Sequence, residues 1–363
     1  SAGCSFVYSN SILITVYAQL TGGTIGNNQS ICYNTAPAGL TQTAPPTGGP
    51  GGYTYQWQDS PDNVTFTNIV GATGVTYNPP VLTATRYYRR RVTSGSCGTV
   101  SSNTVTITVY GQLTPGTIGN AQSICYNTAP APLTQITAPT GGPGGYTYQW
   151  QDSPDNSTWS NIAGATASGY SPPALTANRY YRRAVTSGTC GTVFSTSVLI
   201  TVYAQLTPGS VGSPQTICYN TAPAGLTQLT APTGGTGAYT YQWQSSPDNS
   251  TWSNIGGATL ATYNPPALTA NTYYRRNVTS GSCGTVSSAS VLITVYAQLT
   301  AGTVGSDQSI CSGATPSPLT QITAPTGGTG AYTYQWQDSP DNITFNNIGG
   351  ATGAGYSPPS LGA

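Results

Sequence analysis

Apolar and polar residues alternate with a period of two along most of the chain. Val105, Ile107 and Val109 fall on one side and Thr104, Thr106 and Thr108 on the other. Tyr53, Tyr55 and Trp57 alternate in the same way with Thr54, Gln56 and Gln58. This is the pattern of a strand buried on one face and wet on the other. A 3.6-residue periodicity is missing, and 45 Gly and 28 Pro break the chain too often for helices. Ser60-Pro61-Asp62-Asn63 has the chemistry of a tight turn, with Pro presetting φ and Asp and Asn accepting local hydrogen bonds. Pro79-Pro80 closes the strand around Tyr77, since neither residue donates to a ladder. Short strands separated by such turns every 8–12 residues predict an all-β chain of sandwiches.

The pattern recurs. Tyr-Thr-Tyr-Gln-Trp-Gln stands at 53–58, 146–151, 239–244 and 332–337, a period of 93 residues. It predicts an array of stacked modules. Residues 18–110, 111–203 and 204–296 form three complete modules; residues 1–17 match a module's closing strand and 297–363 its first two thirds. The stretch absent between the two ends corresponds to Thr85–Thr93. One expectation is a window on a longer array. The other is that neighbouring chains complete each other's broken module by adding strands. No Ser/Gly tract lies at the junctions, where Val109-Tyr110 runs into Gly111-Gln112-Leu113. Stiff coupling and an elongated rod follow, each module adding about 40 Å.

Comparison of the copies separates core from surface. Trp57, Trp150, Trp243 and Trp336 are constant, as are Tyr77, Tyr170, Tyr263 and Tyr356. These are expected core residues, and burying each ring is worth a few kcal/mol, at ~25 cal/mol per Å² over 150–250 Å². Arg91, Ala184 and Asn277 share one position and predict a solvent-facing site.

Eight cysteines fall into two periodic series, Cys4, Cys97, Cys190, Cys283 and Cys32, Cys125, Cys218, Cys311. Two pairings respect the period. A 65-residue spacing joins Cys32–Cys97, Cys125–Cys190 and Cys218–Cys283 within modules, leaving Cys4 and Cys311 to pair outside the window or with a neighbouring chain. A 28-residue spacing joins Cys4–Cys32, Cys97–Cys125, Cys190–Cys218 and Cys283–Cys311 between modules, and leaves none over. The first is preferred because the strand after Cys97 carries the chain a module's length before Cys125, and a disulfide needs Cα atoms within about 7 Å. Each such bond would contribute ~4 kcal/mol by closing its loop. Disulfides this regular imply an oxidising compartment.

Composition narrows the function. Only 5% of residues are charged, the net charge is +1, and Lys, Glu, His and Met are absent. Such a chain has no electrostatic footprint for nucleic acid. No apolar run is long enough to insert in a membrane as a helix. Without His or Glu, and with no nucleophile elbow, no catalytic constellation is visible, so the chain does not read as an enzyme. No cofactor site is visible, and CxxC spacing for zinc is missing.

The double arginine recurs as Arg89-Arg90, Arg182-Arg183 and Arg275-Arg276. Alternation places one of each pair toward the core, where it would stack on aromatic rings or pair with Asp59 or Asp62. An acidic-glycan site is the competing role. Asp59, Asp62 and Asn63 are too few for a Ca²⁺ site and predict a plain turn. Asn63, Asn156, Asn249 and Asn342 begin N-glycosylation sequons that recur with the repeat.

Gly51-Gly52-Tyr53-Thr54-Tyr55-Gln56-Trp57, Gly71-Ala72-Thr73, Tyr87-Tyr88-Arg89-Arg90 and Ser94-Gly95-Ser96-Cys97-Gly98 together resemble the immunoglobulin-like (PKD-like) repeats of large Bacteroidota cell-surface adhesins and filaments, gliding adhesins among them. The resemblance covers every module. It implies tandem immunoglobulin-like β-sandwiches and an extracellular, cell-surface location. In antibody-type domains the cysteine sits inside the strand holding Tyr87-Tyr88; here it lies in the turn beyond. The expected function is a structural shaft or stalk, with neighbouring modules or further copies of the chain as partners. Multivalent repeats binding a glycan or surface, or accessory modules of a large secreted enzyme, are the alternatives.

Overall fold

The computed structural model describes residues 3–305 and 307–362. Residues 1, 2, 306 and 363, at the ends of segments 1–17 and 297–363 and inside the latter, lie outside them. Among the described residues the only helical turns are short 3₁₀ segments such as Gly95–Cys97.

The first complete repeat shows how the pattern folds. Its strands are β1 (Thr24–Ile25), β2 (Gln29–Ile31), β3 (Gln42–Ala44), β4 (Thr54–Ser60), β5 (Thr67–Asn68), β6 (Arg86–Thr93), β7 (Thr99–Ser101) and β8 (Val105–Val109). One sheet has the order β2-β8-β6-β4-β5, with β7 also paired to β6. β2 runs parallel to β8, and the other pairs in this sheet are antiparallel. The facing sheet pairs β1 with β3 and is extended by bridges Leu40–Tyr77 and Thr35–Leu82. Two open sheets facing each other in this order form an immunoglobulin-like sandwich.

The alternating residues fill it. Ile25, Leu40, Trp57, Leu82, Tyr88, Val105 and Ile107 form the buried cluster. Trp57 has no exposed surface, its ring lies 5.7 Å from that of Tyr77, and its indole N–H donates to Gly74 O at 2.9 Å. A buried Trp is thereby both packed and hydrogen-bonded. In the third complete repeat Val211, Leu226, Trp243, Tyr274, Val291 and Ile293 repeat the cluster. Trp150 and Trp243 are fully buried; Trp336, in the fourth repeat, is half-buried. The chain enters the sandwich beneath Gly48, whose φ is +78° and where a Cβ would overlap the carbonyl oxygen of Gln19.

Arg91 is exposed and Asn277 half-buried, as a solvent-facing position requires, but Ala184 is buried opposite Phe194. A small side chain there lets the larger neighbour cover it. Among its described residues the opening segment takes no strand, and Phe6, Val7, Ile12, Leu13, Ile14 and Val16, counterparts of β7 and β8 residues, are each at least 82% exposed. The fourth repeat forms Thr303–Val304 with Gln321–Thr323 and Gln337–Asp338 with Asn346–Asn347.

The disulfides differ from the sequence expectation. Cys32 joins Cys190 and Cys125 joins Cys283, with Cα atoms 5.3 and 5.2 Å apart and a sequence separation of 158 in each case. The pairs Cys32–Cys97, Cys125–Cys190 and Cys218–Cys283 are not formed, and Cys4, Cys97, Cys218 and Cys311 are exposed and free. The reason lies in the sheet. Cys32 follows Ile31, whose carbonyl accepts from Tyr110 N at 2.9 Å, so it sits where the chain leaves the sandwich. Cys97 follows the Thr93 end of β6, beside Gly49, which donates to Ala18 O where the chain enters. Arg86, not Thr93, is the β6 end lying by Ile107. The two cysteines of one repeat are thus separated by roughly the length of β6, about 23 Å at 3.3 Å per residue. No disulfide spans that. Cys32 instead meets the entry end of the next repeat, which carries Cys190.

Candidate functional site

Two arrangements recur with the period: the bond between consecutive repeats, and a buried arginine. Each cysteine is held by local turns. Thr35 Oγ1 donates to Cys32 O at 2.7 Å, and Cys97 N donates to Ser94 O at 3.0 Å. Ser94 is itself buried and donates to Gly51 O at 2.8 Å, fixing the cysteine turn to the glycine loop. The sulfurs therefore meet through backbone segments already tied down within their own repeats.

The strand register settles the double arginine. Arg90 stands opposite Trp57 across β4 and β6, flanked inward by Tyr88 and Val92, and is fully buried. Its guanidinium donates to Val75 O at 2.8 Å and Gln42 Oε1 at 3.0 Å, with the ring of Tyr55 4.3 Å beneath. Arg183 donates to Ser168 O, Gln135 Oε1 and Pro115 O, and Arg276 to Ala261 O, Gln228 Oε1 and Pro208 O. Each Nε is left without a partner. Burial pulls the three guanidinium pKa values down, against the opposing pull of Tyr55, Tyr148 and Tyr241. Among the described residues these buried cations meet carbonyl and amide oxygens rather than a carboxylate. Neutral oxygens and a ring face balance the charge, which makes the site sensitive to loss of any one.

Arg89, Arg182 and Arg275 point outward. Arg89 lies 4.0 Å over Phe66 and donates through Nε to Gln58 Oε1 at 2.7 Å. Arg182 is sandwiched between Trp159 and Phe194 at 4.2 and 4.1 Å, and Arg275 lies 4.2 Å over Trp252. Asp59 and Asp152 pair with Arg86 and Arg179 at 3.3 and 3.5 Å, rather than with the double arginines.

Asp62 carries the turn. Its Oδ1 accepts from Val64 N, Thr65 N and Ser60 Oγ, and these bonds, the Thr65 amide foremost, hold its carboxyl below the usual carboxylate range. Asp155, Asp248 and Asp341 are lowered by the same bonds. Asn63, Asn156, Asn249 and Asn342 follow with positive φ, in the left-handed conformation the turn needs. Among the described residues no three His, Cys, Asp or Glu side chains converge as a metal would need. Tyr88, Tyr181 and Tyr274 are pushed up to about 12, mainly by burial. The junction tyrosines are partly covered: Tyr110 and Tyr203 are half-buried, Tyr17 and Tyr296 more open.

Sequence reasoning missed Gln42, Gln135 and Gln228 as partners of the buried arginines. The signal was a glutamine held 48 residues before each of these arginines in every complete repeat.

The family model described as Domain of unknown function (DUF8696) matches residues 21–111, 114–204, 207–297 and 300–363. The chain belongs to this family. No curated protein matches it. Among solved structures it is similar to titin domains I67–I69 in an E-to-A mutated variant, at 12% identity and a TM-score of 0.44 over 76% of this chain and 98% of that one. It is also similar to a structure on host cell surface retention of a 1.5-MDa bacterial ice-binding adhesin, at 11% identity and a TM-score of 0.37, over 76% and 98%. The three N-terminal domains of the bacteriophage RB49 Highly Immunogenic Outer Capsid protein match at 15% identity and a TM-score of 0.33, over 76% and 98%. At such scores these likenesses carry no functional argument.

Proposed function

We propose that this DUF8696 array is a load-bearing shaft of an extracellular surface appendage, with consecutive repeats as each other's partners. The observation that carries this reading is the bond from the exit end of one repeat to the entry end of the next, Cys32–Cys190, repeated as Cys125–Cys283. A disulfide within a repeat would stiffen that repeat alone. One between repeats fixes the junction and gives tension a covalent route around each sandwich. Persistence of such bonds fits an oxidising exterior. The resemblance to Bacteroidota PKD-like surface repeats supports the same location.

A second reading has an observation of its own. Arg89 on Phe66, Arg182 between Trp159 and Phe194, and Arg275 on Trp252 present the same cation-on-ring surface in each complete repeat. Weak binding of acidic glycans at each copy would add up through multiplicity. A glycan array probed with the whole chain separates the two. The shaft reading expects no binding, together with immunogold labelling along filaments on the source cells. Binding that disappears in Arg89→Ala/Arg182→Ala/Arg275→Ala would establish the adhesin instead.

A further inference from the structure

The outward arginines Arg89, Arg182 and Arg275 share one mounting. Each donates through Nε to a glutamine of the neighbouring strand, Gln58, Gln151 or Gln244, at 2.7, 2.7 and 2.8 Å. Each glutamine donates in turn to an asparagine, Asn68, Asn161 or Asn254, at 2.8 Å. One face of each guanidinium lies over a ring, Phe66, Trp159 or Trp252, at 4.0, 4.2 and 4.2 Å. Among the described residues the hydrogen bonds of these three side chains all run through Nε, so their terminal nitrogens face outward without an acceptor.

The second face differs between repeats. In the middle repeat Phe194 covers it at 4.1 Å. At the same place the first and third repeats carry Ser101 and Ser287, both exposed and without a ring. The cross-strand neighbours follow this difference: Phe194 stands opposite the small Ala184, Ser101 opposite Arg91 and Ser287 opposite Asn277. Phe194 therefore shows, inside the chain, what the second face of the same mounting accepts.

We propose that the uncovered faces of Arg89 and Arg275 dock an extended acidic peptide of a partner protein, which lays an aromatic ring where Phe194 lies on Arg182 and sets a carboxylate, two residues away, on the terminal nitrogens. A second ring adds a second cation–π contact. The idle nitrogens form the planar fork that matches a carboxylate. Side chains two apart on an extended peptide share a face, so one strand supplies both groups. In the first repeat exposed Arg91, opposite Ser101, adds a further positive charge beside the slot. The arginine is already immobilised by its glutamine and ring, so binding orders little of the chain. Each site is weak alone, and two per chain add through multiplicity. The proposal goes beyond the shaft reading and gives these arginines a ring-bearing occupant in place of a sugar acid, so it stands or falls independently of both.

The test uses the full chain with ¹⁵N-arginine, whose nine Nε–H signals report each arginine separately. The probe is a synthetic pentapeptide of serines with phenylalanine at its second position and aspartate at its fourth, at millimolar concentration. The signals of Arg89 and Arg275 should shift and saturate while that of Arg182 stays still. Ser101→Phe should silence Arg89, Ser287→Phe should silence Arg275, and Phe194→Ser should make Arg182 respond. Leucine in place of the peptide's phenylalanine should weaken binding roughly threefold or more. Phe194→Ser shortens a side chain that is already 45% exposed, so it keeps the test decisive even where a serine-to-phenylalanine variant misfolds. An Arg182 shift in the parent chain equal to the other two, an unresponsive Arg182 in Phe194→Ser, or still signals at Arg89 and Arg275 would overturn the proposal. So would equal binding of the leucine peptide, which would mean that any acid suffices, as the glycan reading has it.

Discussion

The bond between repeats sets how much length the chain can release under tension. Consider a Cys125→Ser/Cys283→Ser variant, which leaves Cys32–Cys190 as the intramolecular disulfide. Pulled from its two ends until every sandwich opens, the oxidised chain cannot extend the backbone between those cysteines, a separation of 158 residues. At 3.3–3.6 Å per residue this hides roughly 520–570 Å of contour. Force spectroscopy with and without reductant reads that length directly, as the difference in fully extended contour. The alternatives give distinct values. A bond within the repeat, Cys32–Cys97, spans 65 residues by the sequence numbering and would hide roughly 215–235 Å. A Cys4–Cys32 bond spans 28 residues and would hide roughly 90–100 Å. A release of about 215–235 Å would refute the opposite-ends argument for the two cysteines of a repeat, and one of about 90–100 Å would refute the Cys32–Cys190 linkage.

Other consequences follow from the same contacts. Cys32→Ser/Cys190→Ser should cost about 5 kcal/mol by the chain-entropy model, read by denaturant unfolding, and reduction of the double variant should then leave the first junction's stability unchanged. Arg183→Ala leaves Gln135 Oε1, Ser168 O and Pro115 O without their donor and should destabilise the second repeat by about 3 kcal/mol or more, whereas Arg182→Ala should cost under about 1 kcal/mol. Tyr88, Tyr181 and Tyr274 keep their protons to about 12 when folded, while unfolded tyrosine titrates near 10. Their contribution is therefore full below about pH 10 and is lost as pH rises toward 12, so tyrosinate absorbance and loss of circular dichroism should rise together in that window. The turn carboxylates of Asp62, Asp155, Asp248 and Asp341 are lowered from 3.8, so their contribution is full above that pH and fades as pH falls below it; Asp→Asn at all four should remove that acid dependence in a pH-melting series.

Much of the fold was legible because each repeat proofreads the others. Period-two alternation identified the strands, and constancy of Trp57, Trp150 and Trp243 located the core. Alternation put one arginine of each pair inward, but the strand register was needed to say which. In that register Arg90 is on the same face as Val92. What the sequence could not yield was the cysteine partner. In a periodic chain a spacing of 65 and one of 65 plus a full period are the same pattern, and only the end of the sandwich each cysteine occupies distinguishes them. That end is set by the parallel pairing of β2 with β8, a short contact between Gln29–Ile31 and Ile107–Val109 with no turn signal to announce it.

The absence of lysine makes the central claim directly measurable. Arginines stand only at 86, 89, 90, 91, 179, 182, 183, 275 and 276, so trypsin cuts the denatured chain into four large pieces, residues 1–86, 92–179, 184–275 and 277–363, each with two cysteines. With free thiols blocked first, a non-reducing digest read by mass should contain two linked pairs, 1–86 with 184–275 and 92–179 with 277–363. All four pieces joined in one species would mean bonds within repeats, four separate pieces would mean bonds across the 28-residue spacing, and either result would contradict the repeat-to-repeat linkage.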